Sequence, residues 1–68
     1  MKVSRQTKTR LLVTFSDGGI INKEMTVKEL AKFYNIDLTL FSKLTYKSFK
    51  STLQNRFSHY INFELELL

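Results

Sequence analysis

Lys43, Lys47, Lys50 and Arg56 punctuate residues 39–60, a stretch that contains no acid. Lys28 and Lys32 stand four apart, a spacing that puts two side chains on one face of a helix. Lys2, Arg5, Lys8 and Arg10 open the chain with no acid among them, and Lys23 follows. Cations at this density suit phosphate groups, whose oxygens accept charge-assisted hydrogen bonds. The totals are 11 Lys and Arg against 6 Asp and Glu, a net charge of +5 on 68 residues. A small domain with this balance either meets a polyanion or uses the charge to stay in solution.

Other chemistries lack their groups. His59 is the single histidine and there is no cysteine, so disulfides and cysteine-based zinc sites are excluded. Ser58 and His59 are neighbours, and on a helix their side chains would point about 100° apart, which is no nucleophile–base pair. Asp37, Glu64 and Glu66 do not converge by spacing. Asp17-Gly18-Gly19 lacks the Gly-Lys-Ser/Thr ending and the following helix of a phosphate-binding loop. No catalytic residue, metal ligand set or cofactor is expected.

The elements that must position the cations are legible in the periodicity. Residues 1–8 read as a basic arm. A β-hairpin over 9–23 follows: Leu11, Val13 and Phe15 alternate with polar positions, Asp17-Gly18 supplies a turn, and Ile20-Ile21 resumes the strand. Thr26-Val27-Lys28-Glu29 is a capping box, with Met25 and Leu30 at the staple positions around it. Val27, Leu30, Ala31 and Tyr34 form the buried stripe of the helix it opens. Asn35 is its expected stop, because asparagine tolerates the left-handed conformation. A second helix is expected from the Asp37 cap, with Leu38, Phe41 and Leu44 inward and Leu40 beside them. A third spans 47–59, with Phe49, Leu53, Phe57, Tyr60 and Ile61 on one face; Thr45 or Ser48 marks the joint. Alternation over 60–67 closes the chain with a strand that pairs with the hairpin, bringing Glu64 and Glu66 towards Arg10. The expected architecture is a single α+β domain of order β-β-α-α-α-β.

Residues 26–46 resemble the helix-turn-helix unit of bacterial and phage DNA-binding regulators. Ala31 stands at the small crossing position, Asn35 where that family usually has glycine, Ile36 at the apolar turn position, and Phe41 and Leu44 at the buried pair. The resemblance implies a winged-helix-like fold, with a helix-turn-helix plus third helix behind an N-terminal β-hairpin. It also implies that the second helix enters the major groove of double-stranded DNA. Thr39, Ser42, Lys43 and Tyr46 would then face the bases. Arg10, Lys23, Lys28, Lys32, Lys47, Lys50 and Arg56 would hold phosphates. The base-facing set has no Arg, Asn or Gln for bidentate readout, so modest specificity is expected. In size, charge and layout the chain resembles small phage or mobile-element regulators, including excisionase-like accessory factors.

The alternative is a protein-binding inhibitor or adaptor of the phage anti-host or anti-defence kind, with Phe33, Leu38, Leu40 and Tyr46 as anchors. Single-stranded nucleic acid or RNA is a third expectation, and it needs at least two aromatics exposed beside the lysines. A homodimer through edge strand 61–67 fits the pattern without being required. No apolar stretch is long enough to span a membrane and none follows the basic N-terminus as a leader would. With the absent cysteines, this points to the cytoplasm.

Overall fold

The structure is a computed structural model and describes residues 2–68. The elements are β1 (Lys8–Phe15), β2 (Ile20–Thr26), α1 (Val27–Phe33), a single 3-10 turn (Leu38–Leu40), α2 (Tyr46–Gln54) and β3 (Tyr60–Leu67). The strands form one antiparallel sheet in the order β2-β1-β3.

The hairpin turn closes where the sequence places it. Phe15 N–H donates to Gly19 O at 2.8 Å and Gly18 N–H to Phe15 O at 3.0 Å. The Asp17 carboxylate accepts from Gly19 N–H at 2.9 Å, and Gly18 takes a φ of 94° that a side chain would resist. Thr9, Leu11 and Val13 are fully buried on one face of β1. Lys8, Arg10, Leu12 and Thr14 therefore lie on the other face, which no element covers. Thr9 is the one buried polar side chain among the described residues, and it donates to Met25 O at 2.8 Å.

Both helices cover the inner face. Val27, Leu30 and Ala31 of α1, Phe49 and Leu53 of α2, and Ile36 between them complete the core with Leu65 of β3. The Thr26 capping box is formed in full, with Glu29 N–H donating to the Thr26 hydroxyl at 3.2 Å and Thr26 N–H to the Glu29 carboxylate at 3.0 Å. Asn35 ends the turn after α1 with a φ of 58°.

The expected basic arm is an ordered strap. Val27 N–H donates to Thr7 O at 2.9 Å and Lys28 N–H to Arg5 O at 3.0 Å, so two of the amide groups that every helix start leaves unpaired are satisfied. Val3 N–H donates to Leu44 O at 3.2 Å, and Lys2 bridges Thr45.

The helix expected after Asp37 is a correction. Residues 37–45 make one 3-10 turn of three residues and then an irregular stretch, bent at Ser42 and Lys43, to Thr45. Asp37 does cap, accepting from Thr39 N–H at 3.0 Å and from the Thr39 hydroxyl at 2.6 Å. That local pairing holds the chain in a turn instead of a longer helix. Leu38, Phe41 and Leu44 pack against the core as spaced, while Leu40 is 81% exposed. The fold thus has two α-helices separated by a short 3-10 turn, winged-helix-like in general outline.

The third helix begins one residue early, at Tyr46. Thr45 caps it through a Thr–Ser box: Ser48 N–H donates to the Thr45 hydroxyl at 3.1 Å and Thr45 N–H to the Ser48 hydroxyl at 3.2 Å. It stops at Gln54, short of 59, because the chain must turn into β3 through His59 at a φ of 59°. Tyr60 and Ile61 belong to β3, where the register shifts between Thr14 and Phe15. Ile61 is the extra residue of that bulge and is 71% exposed, against the expected inward position.

Candidate nucleic-acid interface

Charge is sorted between the two sides of the sheet. On the open face, Arg10 sits in the central strand with Glu24 opposite on β2 and Glu66 opposite on β3. Its guanidinium lies 3.3 Å from Glu24 and 4.0 Å from Glu66. Glu64 stands opposite Leu12 in the next row and lines the same shallow depression. Arg10 is thus engaged by two carboxylates, with Glu64 nearby. Arg10, expected to hold phosphate, lies on the open sheet face in these ion pairs, on the side away from α1 and α2.

Lys50 also turns from the helical side. Its Nζ lies 5.8 Å from the centre of the Tyr46 ring, and it shares a depression with Phe63, Glu64 and Glu66 on the β3 edge. Tyr46, expected to face bases, is half-buried and its hydroxyl donates to Leu65 O at 2.6 Å. Leu68 N–H donates to Lys8 O, so by the alternation of an antiparallel ladder the Leu65 carbonyl points off the sheet edge. Tyr46 therefore straps α2 to an edge strand that would otherwise present that carbonyl unpaired.

The other cations expected at the site all lie on the helical side, while Lys8 shares the open face with Arg10. Lys28 and Lys32 are exposed one turn apart on α1, Lys43 is exposed in the bend before α2, and Lys47 is exposed in the first turn of α2. Arg56 is exposed just beyond α2, and its guanidinium donates to Asn35 O at 3.0 Å, which fixes it beside the 3-10 turn. Lys23 lies at the edge of this side, with its Nζ 4.1 Å from the centre of the Phe33 ring. That stacking gives the exposed Phe33 a partner. Thr39 and Ser42 are exposed, but the Thr39 hydroxyl is engaged by Asp37.

The two acids on this side serve as caps. Glu29 is held below the ordinary carboxylate range by the Thr26 backbone N–H and then its hydroxyl. Asp37 is lowered by the Thr39 hydroxyl and then its backbone N–H, with the nearby Arg5 charge adding a smaller effect. Both stay ionised, and both direct an oxygen into the protein's own donors.

Sequence reasoning passed over Lys2 and Arg5 as site residues. The strap brings them to the helix starts, and the acid-free opening of the chain was the signal for them. Among the described residues, no cluster of His, Cys, Asp or Glu could hold a metal ion. Among the described residues, no helix is long and apolar enough to cross a membrane. Compared with known protein families, curated proteins and solved structures, the chain matches none.

Proposed function

We propose that the chain binds double-stranded DNA through its helical side, gripping the phosphate backbone with little sequence readout. One observation carries the reading: three of the carboxylates lie on the open sheet face, while Lys28, Lys32, Lys43, Lys47 and Arg56 lie on the opposite side. A polyanion meets a cluster of cations on one side of this molecule, and on the other it meets carboxylates interleaved with Lys8 and Arg10. Residues 37–46 offer a single 3-10 turn in place of a helix able to fill a major groove. Lys43 and Ser42 are the free polar groups there, which suits phosphate binding and sparse base readout. A recombination accessory factor of a phage or mobile element needs no more than this. A transcriptional regulator that reads a defined operator needs more base-reading groups than this surface supplies.

The protein-binding alternative keeps one observation in its favour, the open sheet face with Ile20 and Ile61 exposed at 67% and 71%. Anisotropy titration with a random-sequence duplex across a salt series separates the two. Binding should weaken steeply with salt, and Lys28→Gln with Lys32→Gln should reduce the log–log slope by about 0.9 for each phosphate no longer neutralised. Arg10→Gln should leave the slope unchanged. No binding at low salt refutes the proposal.

A further inference from the structure

Five large apolar side chains stand exposed among the described residues: Ile20, Phe33, Leu40, Ile61 and Leu68. Four have a local reason to be set aside. Ile20 and Ile61 belong to the hairpin end of the sheet, opposite and beside Thr14 and away from the cations. The ring of Phe33 is covered by Lys23. Leu68 shares a depression with Lys8, Glu24 and Glu29. Leu40 remains, the most exposed of the five at 81%, beside Arg56 and with its side chain uncovered by a cation.

Its platform is stiff. Leu40 N–H donates to Asp37 O at 3.2 Å and Phe41 N–H to Leu38 O at 3.3 Å, closing the 3-10 turn. The Asp37 carboxylate holds Thr39 from within the turn. Ile36 before it is 7% exposed, and Leu38 and Phe41 on either side of Leu40's turn pack against the core. The backbone beneath Leu40 is thus anchored before and after, while the side chain projects. Leu40 lines a depression of about 240 Å³ together with Arg56. The Arg56 guanidinium is tied to Asn35 O and keeps other N–H groups for a phosphate. Lys43 follows three residues later, exposed.

An apolar side chain projecting from a rigid turn between cations is the arrangement that enters the minor groove, parts a base step and kinks the duplex. We propose that Leu40 is such a wedge, and that the protein bends the DNA it binds. This rests on the DNA-binding reading above and assigns that interface a mechanical output. The cations supply the grip that offsets the lost stacking, and the wedge sets where the duplex yields. Flexible pyrimidine–purine steps would be preferred, giving selectivity at positions that no polar side chain reads.

The test uses the full chain and a duplex labelled at both ends for energy transfer, with 2-aminopurine at a central TA step. Wild type should raise the transfer efficiency and the 2-aminopurine fluorescence. Leu40→Ala should bind with the same salt slope yet return both signals to their free-duplex values. Leu40→Met, which keeps an apolar wedge, should retain both. Leu40→Lys should bind at least as tightly and leave the duplex straight. All three variants should melt with wild type, because the side chain is exposed. Wild-type binding without bending overturns the wedge and leaves the DNA-binding reading standing. Equal bending by Leu40→Ala does the same. Absence of binding by wild type overturns both.

Discussion

Replacing Tyr46 by Phe separates the two roles that the sequence and the structure give this residue. The substitution removes only the hydroxyl, which donates to Leu65 O at 2.6 Å. The ring keeps its place between α2 and the sheet edge, so no cavity forms. What disappears is one well-formed hydrogen bond to a carbonyl of a nearly buried residue. Its removal costs about 1 kcal/mol and in a domain of this size lowers Tm by about 4–8 °C. Thermal melts followed by circular dichroism read that shift directly. Duplex affinity and its salt slope, measured below the transition, should match wild type. The reverse pattern, unchanged Tm with abolished DNA binding, would show that the hydroxyl faces nucleic acid and would refute the edge-strap assignment.

Other perturbations have equally definite outcomes. Phe49→Ala opens a cavity at the largest fully buried side chain and should cost about 3–5 kcal/mol. Against a total stability of about 3–10 kcal/mol for a chain this long, urea titration should find the variant unfolded or barely folded. Glu29 has its pKa lowered by folding, chiefly through the Thr26 backbone N–H. Its contribution is therefore present above the unfolded carboxylate value and disappears as pH falls through the lower folded one. Glu29→Gln keeps the capping geometry without the titration, so its Tm should decline less over that acid range. Asn35→Gly should preserve or raise Tm, whereas Asn35→Ala should cost about 1 kcal/mol, because the position is left-handed.

The elements visible in the sequence were those whose signals agree with one another. Alternation and Asp17-Gly18 both specify a hairpin, and the Thr26–Glu29 box and the Val27, Leu30, Ala31 stripe both specify α1. Asn35 as a stop and β3 as the partner of β1 followed from the same kind of agreement. The segment after Asp37 misled because Leu38, Phe41 and Leu44 recur every third residue. That spacing serves a helix, and it also serves an irregular chain that dips into a core at intervals. Asp37 as a cap was legible, but a cap starts one turn as readily as three. The Thr45 box was obscured because Ser48 fills the place where Glu or Gln usually stands. The site divided in the same way. Exposed lysines on α1 and α2 could be placed from periodicity, whereas Arg10, Lys50 and Tyr46 were redirected by partners on other strands. Glu66 beside Arg10 is legible from the closing strand, whereas Glu24 as the second partner of Arg10 and Leu65 as the partner of Tyr46 become known only with the register.

The order of strands in space has a consequence for how the chain comes into being. β1 lies at the centre of the sheet, and β3, which pairs with its second flank, is synthesised after β1, β2 and both helices. While the ribosome is still adding α2, the nascent chain can close the hairpin and cap α1. One flank of β1 then still shows its unpaired amide and carbonyl groups, with Leu11 and Val13 only partly roofed. Isolated hairpins are marginal in water, so this intermediate has little to hold it together. Folding should therefore be an event that follows translation of β3, with the β1–β3 seam and the Tyr46 strap forming together. A ribosome-stalled series should show protease resistance arising in one step once β3 has cleared the exit tunnel.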